Sequence, residues 1–230
     1  MPNHCSQHFS FIGSQKDIQQ LYRHIVNADG EQLVIDFNRI TPMPEALDIE
    51  NTNQGQNVLA LLQSNPNQTV INIDLFPHAY QLIQALSKYG FEWQSLTIGQ
   101  AIVVLENEPD LQLHFGLDFN LGRQYQQNLQ QYGSFSWYHW RLEHWGTKWN
   151  AYNCELELSE DGTCLSGYLE TAWSPAEPIY RKLAQLYPSV NIEIAYEDEF
   201  AEFAGVYRSD GEGGLVDEEY TDEQIEQMYS

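Results

Sequence analysis

At 230 residues the chain is long enough for one large domain, or for one domain carrying a sizeable insertion. Its apolar content of 42% and aromatic content of 13% support a packed core and argue against a disordered chain. Ten Lys+Arg against 33 Asp+Glu give a formal charge of −23, a field that repels phosphate backbones and disfavours nucleic-acid binding through counterion release.

Residues 5–12 alternate Cys5, Gln7, Phe9 and Phe11 with Ser6, His8, Ser10 and Ile12, as a strand with one aromatic face does. Ser14 followed by Asp17 is a capping-box variant. It opens a helix to about residue 27 with Ile18, Leu21, Tyr22 and Ile25 on its buried stripe. Asp29-Gly30 ends that helix, and QLVIDFNRI (32–40) reads as a second strand, giving β-α-β. Pro42 and Pro44 exclude a central strand next. The Asn/Gln-rich 51–57 reads as an exposed loop, followed by a short helix from Val58 to Gln63. TVINIDLF (69–76) is strand-like, and Pro77 opens a helix with Ala79, Leu82, Ile83 and Leu86 on one face. AIVVLE (101–106) reads as a further short strand, and LGRQYQQNLQQYG (121–133) as a helix capped by Gly133.

SWYHWRLEHWGTKWNAY (136–152) holds four of the six tryptophans. A helix over 137–145 gathers Trp137, Tyr138, Trp140, Arg141 and Trp145 on one broad face, with His139 and Glu143 opposite. Burial of these indoles and of Trp149 is the first expectation. The rival is a stacking platform built with Arg141 and Lys148. CELELSEDGTCLSGYLETAW (154–173) then alternates about Asp161-Gly162, a hairpin signal. Ser174-Pro175-Ala176-Glu177 supplies a cap for a helix burying Ile179, Leu183, Leu186 and Tyr187. VNIEIAYE (190–197) is a strand, EFAGVYR (202–208) pairs beside it, and TDEQIEQMY forms a short helix capped by Thr221 and Gln224.

The fold expected is α+β: a split ferredoxin-like β-α-β…β-β-α-β antiparallel sandwich over 1–208, with 41–150 as a mixed insertion and 209–230 as an acidic tail. MPNHCSQHFSFIG, FNRITPMPEAL, WYHWRLEHWGTKWNAY and ETAWSP…YP together resemble the YubB-like, ferredoxin-fold family of plasmid- and phage-borne proteins over roughly residues 2–205. Gly146-Thr147-Lys148 between Trp145 and Trp149 is the most specific element. His4 stands where that family usually has Trp, and Gln7 where Asn is common. The resemblance implies this split fold and a mobile-element origin. It brings no reaction and no catalytic residue.

Cys5 falls on the opposite strand face from His4 and His8, and CxxC and HExxH patterns are lacking. Cys154 and Cys164 flank the hairpin turn and are expected as a pair of nearby free thiols. Without a GxSxG elbow, a P-loop or a GxGxxG turn at a strand end, no catalytic residue, cofactor or metal is expected. MPNHCSQHFSFIG lacks the basic start and apolar run of a secretory signal. No window approaches the ~20 apolar residues of a membrane span. A cytoplasmic protein without membrane contact is expected.

The distinctive chemistry is acidic. Residues 193–230 hold 13 of the acidic residues and one of the basic ones. Glu193, Glu197, Asp198, Glu199, Glu202, Asp217, Glu218, Glu219, Asp222 and Glu223 are the candidate interaction surface. The function expected is a non-enzymatic interaction protein of a mobile element that occupies a basic groove of a nucleic-acid-handling host protein, as a DNA mimic does. The alternative is a small-molecule-binding module or enzyme with an aromatic-lined cleft between sheet and insertion.

Overall fold

In the computed structural model, residues 3–30, 32–70, 79–90 and 95–228 are described. The chain divides into two compact units, Met1–Met43 with Tyr138–Ser230, and Pro44–Trp137.

Strand β1 (His4–Ile12) leads through Ser14, whose hydroxyl accepts from Asp17 N–H, into helix α1 (Gln15–Ile25). Ile18, Leu21 and Ile25 of α1 are buried, as the sequence stripe predicts. The segment expected as the second sheet strand is broken. Val26–Asp29 (β2) and Gln32–Ile35 (β3) pair as a separate two-stranded ribbon. The Asp36 side chain then accepts from Asn38 N–H and opens helix α2 (Phe37–Ile40). A side-chain cap inside the apolar run therefore overrides its strand-like pattern.

The unit of residues 44–137 is helical in its described residues. Helix α3 (Asn53–Gln63) starts within the Asn/Gln stretch expected as a loop, because the Thr52 hydroxyl accepts from Gly55 N–H. The strand expected over 69–76 lies almost wholly outside the described residues, as does Pro77. Helix α4 (Ala79–Ser87) follows, with Leu86 buried. AIVVLE is helical, not extended: α5 (Ile98–Asn107) begins with a reciprocal capping box between Thr97 and Gln100. Helices α6 (Pro109–Phe115) and α7 (Phe119–Tyr132) complete the unit, α7 ending on Gly133 at φ +73°. Val58, Leu61, Val70, Leu86, Leu96, Ile98, Ala101, Leu105, Leu117 and Phe119 form its core. Gly122 lets α3 and α7 approach closely, since a Cβ there would stand 2.4 Å from Val58 Cγ1.

Helix α8 (Trp137–Trp145) leads to the hairpin of β4 (Tyr152–Leu158) and β5 (Cys164–Ala172). Then come α9 (Glu177–Leu186), β6 (Asn191–Asp198), β7 (Ala204–Ser209), β8 (Leu215–Glu219) and α10 (Asp222–Met228). α9 starts two residues after the expected Pro175, and Tyr180 takes the buried place predicted for Leu186, which is exposed. One antiparallel sheet runs β4-β5-β1-β6-β7-β8. Its β4-β5-β1-β6 core is the ferredoxin-like arrangement, and residues 32–40, expected as a strand of this sheet, are not part of it. The stretch expected as a tail therefore carries the sheet's edge strand, and the terminal helix expected there is present with Thr221 and Gln224 capping each other.

The sheet core follows from alternation. Cys5, Gln7, Phe9 and Phe11 are buried with Leu165, Leu169, Ile192 and Ile194, against Ile179, Tyr180 and Leu183 of α9. Gln7 is polar and fully buried, but satisfied: its amide donates to Thr171 Oγ1 at 2.7 Å and its carbonyl accepts from Tyr180. His4, Ser6, His8 and Ser10 lie on the opposite face, so Cys5 and the histidines diverge as expected. The β4–β5 register sets Glu155 opposite Tyr168 and Leu158 opposite Leu165. Cys154 and Cys164 therefore sit toward opposite ends of the hairpin and do not form the expected nearby pair. All three cysteines are free.

Candidate functional site

The indole run divides into core and surface. Trp140 and Trp145 are buried, at 5% and 2% exposure. Trp145 donates its Nε1–H to Thr41 O, meets Phe37 and Trp140 edge-on, and carries the Arg141 guanidinium 4.7 Å from its ring centroid. Trp137 and Arg141 are half-buried, and His139 and Glu143 are exposed. The helical face read from spacing is therefore correct over α8. Trp149 departs from it, at 39% exposed. Gly146, at φ +78°, ends the helix, so the periodicity that buries Trp140 and Trp145 stops before Trp149.

The carboxylates separate into groups that the sequence does not distinguish. Asp198 is buried at 2% exposure, and its Oδ2 accepts from Phe200 N–H to close the β6–β7 turn. It is not part of an outward surface. Glu199 accepts from His4 N–H and fastens the start of β1. On the sheet face away from α9, Glu193 and Glu218 share Arg208, which raises the guanidinium's pKa. Glu197 lies on that face too, and Glu223 is exposed on α10.

The remaining candidates converge. Strand alternation sends Asp217 and Glu219 to the face opposite Glu218. There they line a cleft of about 360 Å³ with Glu202 from the β6–β7 turn, Asp222 from the first turn of α10 and Glu177 from the first turn of α9. Tyr196, Phe203, Tyr207 and Tyr220 also line it, and among the described residues no lysine, arginine or histidine does. Gly205 permits this packing, since a Cβ there would meet the Tyr196 hydroxyl oxygen at 2.5 Å. The Tyr196 hydroxyl donates to Asp217 Oδ1 at 2.8 Å.

Burial, followed by the bond to Asp217, pushes the Tyr196 phenol far above its ordinary pKa. Burial and the charges of Asp217 and Glu177 push Tyr207 the same way. The cleft is thus a negative, aromatic-walled depression suited to cations. Glu177 pairs with Arg181, one turn along α9, at 2.6 Å. A wider depression of about 580 Å³ lies beside β4, lined by His8, Phe9, Glu155, Leu156, Glu157, Ser166, Gly167 and Tyr168. It gathers two carboxylates against the cleft's five, so the acidic chemistry is concentrated in the cleft.

Sequence reasoning placed Glu202, Asp217, Glu219 and Asp222 in the acidic surface but missed Glu177 and the tyrosines. The period-two pattern of LVDEEY carries the signal for Asp217 and Glu219. Nothing local links them to a helix start forty residues earlier. Among the described residues no group of three or more His, Cys, Asp or Glu side chains is arranged to hold a metal ion. No helix among them is long and apolar enough to cross a membrane.

No curated protein matches the chain. The crystal structure of protein Api92 from Yersinia pseudotuberculosis is similar at 11% identity, covering 96% of this chain and 99% of that one with a TM-score of 0.46. Residues 145–230, which hold β4 through α10 and the whole cleft, match the family model described as the ferredoxin-like domain in Api92-like protein.

Proposed function

We propose that the protein is a non-enzymatic interaction protein that binds a basic segment of a protein partner in its acidic cleft. The observation that carries this reading is the convergence of Glu177, Glu202, Asp217, Glu219 and Asp222 on one aromatic-walled depression with no basic side chain in its lining among the described residues. Carboxylates spaced over a folded surface can stand in for phosphates. The partner class that fits is a cytoplasmic nucleic-acid-handling protein that presents an exposed basic segment. Direct nucleic-acid binding is not part of the reading, because the −23 charge opposes it. A plasmid- or phage-borne origin belongs to the same proposal and rests on the sequence motifs alone.

The test is fluorescence anisotropy of labelled nona-arginine with the full chain and with the Glu202→Gln/Asp217→Asn/Glu219→Gln variant. Exposed ion pairs contribute ~0.2–1 kcal/mol each, so losing three weakens binding by roughly threefold to a hundredfold. Wild-type affinity falls steeply as salt rises from low to physiological concentration. Affinity indifferent to salt, or equal for both proteins, refutes the proposal.

A further inference from the structure

The two most specific sequence motifs, Trp145-Gly-Thr-Lys-Trp149 and Thr171-Ala-Trp-Ser-Pro175, meet in space. Thr147 is fully buried; its hydroxyl donates to Ala172 O at 2.9 Å and accepts from Ala172 N–H at 3.2 Å. The Ser174 hydroxyl donates to Gly146 O, and the Thr171 hydroxyl donates to Ser174 O. Gly146 is pressed against the second segment and the start of α9, a Cβ there standing 3.1 Å from Pro175 O and 2.8 Å from Pro178 Cδ. This lock buries Trp145 but leaves the other two tryptophans of its motifs at the surface. Trp149 is 39% exposed and Trp173 51% exposed. Trp173 also holds φ +76°, a conformation that bulky residues rarely adopt.

Between the two indoles lies a cation. Lys148 Nζ stands 4.2 Å from the Trp149 ring centroid and 5.9 Å from that of Trp173. In so acidic a chain this ammonium could pair with a carboxylate, yet among the described residues its contacts are with indoles. Trp173 also stands two residues before Pro175, which is part of the cleft lining.

We infer that Trp149 and Trp173 form an aromatic cation site at the lip of the acidic cleft, with Lys148 as an internal stand-in for an arginine of the basic partner. On binding, the partner's guanidinium takes the indole faces and Lys148 swings out. Arginine fits better than lysine because its planar, weakly hydrated group stacks on an indole while its N–H groups reach carboxylates. The inference rests on the proposed basic partner and adds to it a preference for arginine and a competing internal lysine.

The experiment measures affinity of the full chain for nona-arginine and nona-lysine, with Trp149→Ala, Trp173→Ala, Lys148→Ala, the double Trp149→Ala/Trp173→Ala and the combined Lys148→Ala/Trp149→Ala/Trp173→Ala variants. Thermal melting confirms that each variant is folded. Each tryptophan variant is expected to weaken nona-arginine binding about two- to fivefold, as loss of an exposed cation–π contact does. Lys148→Ala is expected to strengthen it by a similar factor. That gain disappears when both indoles are absent, whereas a gain due only to removing a positive charge persists. The preference for arginine over lysine also shrinks in the tryptophan variants. If the tryptophan variants bind normally, or the Lys148 gain survives without indoles, this inference fails. If the cleft-carboxylate variant still weakens binding, the proposed function stands without it.

Discussion

Replacing Thr147 with valine removes one hydroxyl from a site of nearly unchanged shape. That hydroxyl is the partner of both the N–H and the C=O of Ala172, at 3.2 and 2.9 Å, and both residues are buried. Valine leaves two backbone groups in the interior without a partner. Each costs about 1–3 kcal/mol, so Thr147→Val is expected to destabilise the fold by roughly 2–6 kcal/mol. Thr147→Ser keeps the hydroxyl and loses one methyl, at about 1 kcal/mol. Equilibrium urea unfolding, followed by tryptophan fluorescence, measures both. The expected order is wild type, then Ser, then Val, with the midpoint moving and the slope unchanged. A Thr147→Val loss below about 1 kcal/mol, or equal to that of the serine variant, shows that the hydroxyl is not bracing the end of β5.

Trp145→Ala, which removes a 2%-exposed indole, is expected to destabilise by about 3–5 kcal/mol, while Trp149→Ala stays within about 0.5 kcal/mol in the same unfolding assay. Gly122→Ala drives a Cβ to 2.4 Å from Val58 Cγ1 and is expected to lower stability by about 1–3 kcal/mol; Val58→Ala in the same chain recovers part of that loss, read as the double-mutant coupling. Burial raises the pKa of Tyr152 to about 12 and that of Cys5 to about 12, and raises Tyr180, Tyr196 and Tyr207 as well. The folded state then holds protons that the unfolded state releases, so stability is full below the ordinary values of 9 and 10 and falls as pH rises from there toward 12. Urea midpoints between pH 8 and 11.5 check this, and a flat profile contradicts it.

The sequence made some of the fold legible because certain patterns have one physical solution. The alternation over residues 5–12, the Asp161-Gly162 turn and the alternation from Val190 each give one strand or hairpin. The Thr221–Gln224 cap gives one helix start. Short apolar runs were ambiguous. AIVVLE has no strand alternation and too few residues to show a helical period, and the deciding signal was the Thr97–Gln100 cap outside it. QLVIDFNRI was read through Asp36, whose cap divides it. As for the site, acidity was visible but its distribution was not: Asp198 and Glu197 are adjacent in sequence, yet one closes a turn inside and the other faces out. The cleft needs Glu177, Glu202 and Asp217, which come together only when the edge strand closes beside α9. Trp149, expected to be buried with the other indoles of the run, lies beyond Gly146, which ends the helix, and is exposed.

The acidic cleft as the place where a basic segment binds is tested most directly by nuclear magnetic resonance of the isotope-labelled full chain during titration with nona-arginine. The account predicts saturable shifts at the amides of Glu177, Glu202, Asp217, Glu219 and Asp222, with smaller changes across 44–137. Shifts spread evenly over carboxylates everywhere, Glu155 and Glu157 moving as far as Asp217 and Glu219, would contradict it: the peptide would then be sampling net charge and not a built cleft.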